Sequence, residues 1–483
     1  MKPLTTKTTH RDRFSPFRFL LPIVIFGCGC LCVVAITPCS RADDTTKVAE
    51  LASRRELFID DWLIDSMTGV ELQLHPAVPR EIALSLNQPW AGPTTGFTCV
   101  LKDGDKYRFY YSNDSDGSAL DYTSYAESTD GIHWTRPSLG LVEFKGSKDN
   151  NIIWAERSIH SFNVFRDKNP KASDNERYKC ICGDPISVFT SSDAIHWKKV
   201  KKGVLTDGQA DSQNLAFWDP LRSKYVAYAR LFVNGVRHIR TATSHDLLNW
   251  TPSQSIIFPK GTRREHLYTN AVTPYFRAPH IYVGLPMRFV PDRKLVPGHP
   301  YPGVSDGVLI TSRDGLHFDR RFMEAFIEPG PEPKNWTDRT NLPTWGIVQT
   351  SPTEMSVYWV EHFRHSTVRL RRGSLRLDGF ASVHAPPRGG EFVTKPFTFI
   401  GSELHLNFQT SAPGSIHIAL LDEHRKEFLG YGLADAPEIY GNEIDRVVSW
   451  KNGGDLSKLA GQTVRLKFIL KDAHVYSIQF VAP

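Results

Sequence analysis

The chain has 483 residues, 40% hydrophobic and 11% aromatic, with 58 Lys/Arg against 52 Asp/Glu and a formal charge of +6. That length exceeds one ordinary compact domain and suits a large repeat domain followed by a smaller one. Residues 1–42 hold six Lys/Arg and one Asp and so carry +5 of the charge; the remainder is near neutral, which removes any bulk argument for a nucleic-acid partner.

Taken in chain order, Lys2, Lys7, Arg11, Arg13 and Arg18 precede an apolar run from Phe19 to Ile36, and Ser40-Arg41-Ala42 follows as a small-x-small cleavage pattern. A signal peptide over 1–42 is expected, giving an exported, periplasmic or extracellular protein that leaves the membrane after cleavage. An uncleaved anchor is the alternative, since the apolar run nearly spans a bilayer. Four of the seven cysteines lie in this segment, leaving Cys99, Cys180 and Cys182. Cys180 and Cys182 share one face of a strand and read as buried thiols; no zinc-ligand spacing is present.

Asp60-Asp61-Trp62-Leu63-Ile64-Asp65 reads as a structural strand, because adjacent strand residues face opposite ways. The segment Ser124-Tyr125-Ala126-Glu127-Ser128-Thr129-Asp130-Gly131-Ile132-His133-Trp134 then resembles an active site in composition, but it recurs. Further copies end at Trp197, Trp250 and Phe318, and a worn fifth contains Asp378-Gly379. The aspartates stand 63, 53, 68 and 64 residues apart. Each unit carries about four strand-like runs; in the first these are Gly96 to Lys102, Tyr107 to Tyr111, Asp121 to Glu127 and a run from His133. This period predicts an all-β fold, a five-bladed β-propeller over residues 55–385. Beyond Pro386-Pro387-Arg388-Gly389-Gly390, the alternation of Leu404/Leu406/Phe408, Ile416/Ile418/Leu420 and Val464/Leu466/Phe468/Leu470 predicts a β-sandwich over 391–483.

With blade strands named A to D from the axis outward, the repeated turn joins C to D. D-to-A and B-to-C connections emerge on the other face. The recurring motif is therefore scaffold: its Asp satisfies turn amides, and its aromatic packs between blades. Function is expected where the A strands begin. Asp211 and Glu265 stand there on adjacent units, and paired carboxyls are what glycosidic bond cleavage needs, one protonating the leaving oxygen and the other attacking or activating water. Trp90, His160, Asn214, His266, Asn270, Arg339, Asn341 and Glu361 are candidate sugar contacts on the same face. Asp306 is a further carboxylate, and Arg237, Arg288, Arg339 and Arg364 suit carboxylated or sulfated sugars.

ELFIDDWLID, DGDKYRFYY, YAESTDGIHW, GSKDNNI and DLSKLAGQTVRLKFILKDA resemble a group of exported bacterial proteins similar to glycoside hydrolase family 32, over nearly all of residues 55–483. The resemblance implies a first-blade Asp nucleophile, a third-blade Asp that stabilises the transition state and a fourth-blade Glu acid/base. Asp211 matches the second of these and Glu265, more loosely, the third. Gln88-Pro89-Trp90-Ala91-Gly92 stands where an Asn-Asp-Pro-type motif is expected, so Asp121, Asp306 or Glu361 must supply the missing carboxylate, or the chemistry differs, or the chain only binds. Two readings stand: an exported hydrolase of an oligo- or polysaccharide, and a propeller that holds glycans without cutting them. No cofactor or catalytic metal is expected; a structural Ca²⁺ or a water at the axis is the one addition the architecture invites. A carbohydrate partner and a monomeric chain complete the expectation.

Overall fold

Period-two apolar runs broken by tight turns fold as antiparallel meanders in the computed structural model, which describes residues 48–113, 120–208 and 210–482. The expected signal peptide lies outside the described residues. The fold is all-β, with only three single-turn 3-10 helices among the described residues. No helix there is long and apolar enough to cross a membrane.

The first meander is Gly96–Asp103, Lys106–Asn113, Asp121–Ser128 and Ile152–Glu156. The second is Asn163–Arg166, Tyr178–Cys182, Ser187–Ser191 and Lys198–Lys202. The third runs Leu215–Asp219, Lys224–Val233, Val236–Ser244 and Gln254–Ser255, and the fourth Thr273–Tyr275, Ala278–Gly284, Ile310–Ser312 and Phe318–Asp319. In the fifth, Glu354–Glu361 and Arg369–Arg376 follow the short strands Leu342–Pro343 and Val348–Gln349, and the outer strand is Val78–Ser85 from far upstream. The first outer strand is Ile152–Glu156 rather than a run from His133, which makes only an isolated bridge, Glu127 to Thr135.

Innermost strands are joined to their neighbours in succession. Val164 N donates to Cys99 Sγ (3.2 Å), Asn163 Nδ2 to Asn214 O (2.8 Å) and Ala271 N to Gln213 Oε1 (2.8 Å). Trp345 Nε1 donates to Val272 O (2.9 Å), and Val100 N returns to Trp345 O (2.8 Å). Meander five therefore touches meander one. Cys99, Cys180 and Cys182 are buried free thiols, and burial pushes the Cys180 thiol well up, which keeps it inert.

All four well-kept copies of the turn are built alike. Asp130 Oδ1 accepts the amides of Ile132 and His133, each at 2.8 Å, while Oδ2 meets His133 Nδ1 at 2.7 Å. Asp193, Asp246 and Asp314 repeat this with His196, Asn249 and His317. The next residue has φ between +67° and +81° in every copy, although it is Gly only twice (Gly131, Ala194, Leu247, Gly315). Its carbonyl accepts a tyrosine hydroxyl from the neighbouring meander in three copies: Tyr110 to Ala194 (3.0 Å), Tyr228 to Gly315 (2.7 Å) and Tyr358 to Gly131. Trp134 lies edge-on to Tyr358, and Phe318 to Tyr228. The motif is an inter-sheet clasp.

The C-terminal strands join one eight-stranded sheet around the long Glu403–Leu421 and Arg465–Val481. Leu404, Leu406, Phe408, Ile416, Ile418, Leu420, Val464, Leu466, Phe468 and Leu470 are all buried, as their alternation predicts. The expected boundaries differ in one respect. Arg55–Leu57, Ile64–Thr68 and Ala381–Ala385 pair with C-terminal strands, and Glu71–Leu74 pairs with Ala381–Ala385, so none of them joins a meander. Local alternation gives a strand's faces but not its partner, which is a long-range choice. Asp60 and Asp61 lie in bends between two of these strands and pair with Arg313 and Arg321.

The worn fifth turn has a different task. Asp378 is buried and accepts hydrogen bonds from Tyr275 Oη (2.8 Å), Asn407 Nδ2 (3.0 Å) and Ser477 Oγ (2.7 Å), with Arg277 at 3.3 Å and Arg55 at 3.5 Å. It ties the meanders to the C-terminal sheet.

Candidate functional site

Side chains from four meanders and from the chain flanking the fourth line one common cavity of about 560 Å³. Phe97, Asn113 and Asp121 come from the first, Arg157, His160 and Asp184 from the second, Asp211 from the third approach, Tyr268 and Met287 from the fourth segment, and Arg339, Phe363 and Arg364 from the fifth. No turn aspartate lines it.

Its backbone is unusual. Three of its lining residues, Phe97, Arg339 and Arg364, have φ between +45° and +67° without being glycine. Such conformations cost about 1–3 kcal/mol each and gather where side chains must be aimed.

Asp211 is open here, with 71% of its side chain exposed. His160 Nε2 lies 3.8 Å from its Oδ1, and Arg230 Nη2 lies 3.3 Å from its Oδ2. Arg230 is buried, and its Nε has no hydrogen-bond partner, so Asp211 supplies a counter-charge the guanidinium needs. Asp121 Oδ2 accepts the Ile159 amide at 2.8 Å, fixing it across the first and second meanders. Asp184 is exposed at the second B-to-C turn. Burial, and then the charges of Arg230 and Arg339, hold the Arg237 guanidinium below its ordinary pKa, against Tyr268 and Asp211.

The structure thus brings together Asp211, His160 and Arg339 of the sequence candidates, with Asp121 and Arg364. It does not bring Glu265, which lies between Arg288 (3.3 Å) and Arg320 and lines a separate cavity of about 350 Å³. The reason is register: the fourth inner strand begins at Thr273, whereas His266–Leu267 pairs with Met287–Val290 in a three-stranded side sheet. His266 goes with it, its Nδ1 accepting the Arg237 amide at 3.3 Å. Asp306, in the same side sheet, pairs with Arg288.

Asn214, Asn270 and Asn341 are buried and structural: their amides donate to Ala210 O, Gln213 O, and Ser305 O and Asn335 O. Trp90 donates to Asn151 Oδ1 at 2.7 Å and packs edge-on to Phe144, outside the cavity lining. Glu361 is clamped by Arg369 (2.7 Å) and Arg371 (3.0 Å). With Glu332 and His362 it forms the one carboxylate–histidine cluster of metal-ligand size among the described residues, but the two arginines already neutralise its acids. Sequence reasoning missed Asp184 and Arg157. Asp184 occupies a B-to-C turn, Gly183-Asp184-Pro185, and that position was the available signal.

No protein-family model matches the chain. Two uncharacterised proteins of Mycobacterium tuberculosis, Rv1502 (strain ATCC 25618 / H37Rv) and MT1551 (strain CDC 1551 / Oshkosh), are each 27% identical over 150 residues, 30% of this chain and 42% of theirs. The chain thus matches less than half the length of these curated relatives. Among solved structures, an N-acetylgalactosamine deacetylase from F. plautii in complex with blood group B trisaccharide aligns at TM-score 0.43 and 12% identity, over 66% of this chain and 96% of that one. A glycoside hydrolase family 43 arabinoxylan arabinofuranohydrolase from Bacillus subtilis aligns at 0.39 and 13%, over 80% and 96%. The catalytic domain of a Coprinopsis cinerea GH62 α-L-arabinofuranosidase aligns at 0.42 and 8%, over 62% and 97%.

Proposed function

We propose that this chain is an exported, monomeric glycoside hydrolase-like protein. Its five meanders are the blades of a five-bladed β-propeller, its C-terminal sheet folds as a sandwich, and its central cavity cleaves glycosidic bonds in an oligo- or polysaccharide. The observation that carries the reading is the convergence of Asp121, Asp184 and Asp211 from three successive meanders on one cavity of about 560 Å³. Glycoside hydrolysis needs two carboxyl groups facing a sugar. Asp211, beside Arg230, is the nucleophile or base, attacking the anomeric carbon or activating water. Asp121 or Asp184 is the proton donor to the leaving oxygen, and His160 and Arg339 contact the sugar. An axial water or Ca²⁺ would satisfy the buried Oδ1 atoms of Asn163 and Asn214, which have no hydrogen-bond partner.

The test is reducing-end release from a polysaccharide panel by the mature chain and by Asp211→Asn, Asp121→Asn and Asp184→Asn. Loss of release in Asp211→Asn and in one of the other two is expected. Release undiminished in Asp211→Asn would sink the assignment. A second reading, glycan binding without cleavage, draws on one observation: Glu265, the position the resemblance implies as acid/base, is tied to two arginines away from the cavity. Tight glycan binding with no release by the unaltered chain would establish it.

A further inference from the structure

Two arginines in the cavity wall are held in an arrangement that a neutral sugar does not require. Asp338 is buried, and its Oδ1 meets His299 Nε2 at 2.7 Å. Its Oδ2 accepts Nε of both Arg339 (2.9 Å) and Arg364 (3.1 Å). Burial raises the Asp338 pKa, but His299, Arg339 and Arg364 outweigh it and hold the carboxyl below its ordinary value, so it remains a fixed anion under the pair.

A guanidinium has five N–H donors in a planar fork. Each arginine donates its Nε to Asp338, and among the described residues its Nη atoms make no hydrogen bond to that carboxylate. Arg339 Nη1 makes one long contact, 3.5 Å, to the Tyr268 hydroxyl. Among the described residues no acceptor takes a hydrogen bond from the Nη atoms of Arg364, whose plane lies 4.0 Å over the Tyr301 ring. Stacking and the shared carboxylate fix both forks without consuming their outer donors. Both residues also adopt left-handed backbone, φ +54° and +67°, a cost accepted at two adjacent wall positions.

Charge completes the argument. One buried carboxylate faces two guanidiniums, so this sector is net positive; the third lining cation, Arg157, belongs to the second meander with Asp184. The acids come from elsewhere in the ring, from the first three meanders. The cavity is therefore divided into an acid sector, where bond cleavage is placed, and a cationic sector that has no such role. Hydroxyls are served by neutral donors and acceptors; paired forks with free Nη groups match a carboxylate or sulfate, whose bidentate bonds offset the desolvation of the cations.

We propose that this cavity selects a glycan bearing an anionic substituent, a uronate carboxylate or a sulfate ester, gripped by the outer donors of Arg339 and Arg364. The proposal rests on the reading of the cavity as a sugar site and names its substrate class.

Binding is read by isothermal titration calorimetry, separately from turnover. The probes are oligogalacturonides and their carboxyl-reduced neutral counterparts, and sulfated galactan oligosaccharides and their desulfated counterparts. One anionic member is expected to bind at least tenfold more tightly than its neutral partner and to weaken as salt rises; which pair discriminates tells carboxylate from sulfate. Arg364→Gln is expected to weaken binding of that anionic member about tenfold and so remove the preference. Equal binding of charged and neutral partners, no binding of any anionic probe, or a preference that survives in Arg364→Gln would overturn the proposal. The charged-against-neutral comparison on the unaltered chain decides the matter even where the variant does not fold. Anion-selective binding without bond cleavage refutes the hydrolase reading alone. Cleavage of neutral and anionic glycans at equal affinity refutes this inference alone.

Discussion

The four clasp turns and the central cavity both gather aspartates, yet they use them in opposite ways. In the turns each Asp carboxylate is consumed by amides two and three residues on and by the side chain of the third. Those bonds draw the carboxyl well below its ordinary pKa against the burial that raises it; for Asp246 it falls to about 2. In the cavity, Asp211 spends nothing on its own backbone and faces His160 and Arg230 from other strands. A carboxylate whose lone pairs are taken locally shapes the chain; one left open among distant partners is available to a ligand.

The comparison breaks first at Asp211. Asp211→Asn is expected to lower kcat by about 10²–10⁴-fold in a chain that still folds, with a modest fall in melting temperature from the counter-charge taken from Arg230, measured by reducing-sugar release and calorimetry. Next comes Asp378, the copy that left the clasp role: Asp378→Ala removes the carboxylate beside Arg277 and one of the two beside Arg55 and is expected to cost about 3–5 kcal/mol in urea unfolding.

A third effect lies at the same seam. Burial first, and then neighbouring His and Arg charges, hold His75 and His474 down to about 4 from 6.5. Both are neutral in the folded state at neutral pH, and the unfolded chain takes up their protons first. Their contribution is therefore full above pH 6.5 and is lost as pH falls from 6.5 toward 4, about 3 kcal/mol for the pair after screening. Urea midpoints at pH 7, 5 and 4 should show the decline, and His75→Gln with His474→Gln should flatten it.

Asp130→Ala should cost about 1 kcal/mol of stability and leave kcat unaltered, unlike Asp211→Asn. The smallest effect on activity is expected at Glu265. Glu265→Gln should keep kcat within about twofold while lowering stability, because it unpairs Arg320, whose Nη1 already lacks a hydrogen-bond partner. A large loss of kcat with normal stability there would restore Glu265 as the acid and remove the contrast.

Much of this was written locally. The recurrence of Ser-x-Asp with an aromatic four residues after the Asp gave the clasp and, through the alternation of connections, the face that bears the cavity. Alternation over 404–420 and 464–470 gave the buried side of the C-terminal strands. What failed were choices between partners: Val78–Ser85 completes the fifth meander from upstream, Arg55–Leu57 and Ile64–Thr68 pair with C-terminal strands, and Glu265 precedes a side-sheet strand rather than an inner strand.

The sequence by itself determined strand faces, turn geometry and the identity of the scaffold motif, because side-chain period and local hydrogen bonding act within a few residues. Tertiary structure alone decided which polar groups meet. Asp121, Asp184 and Asp211 converge, Glu265 and Glu361 are claimed by arginines, and Asp338 aims two guanidiniums. Those outcomes depend on register and ring closure between segments far apart in the chain, and on which charges burial leaves without any other partner.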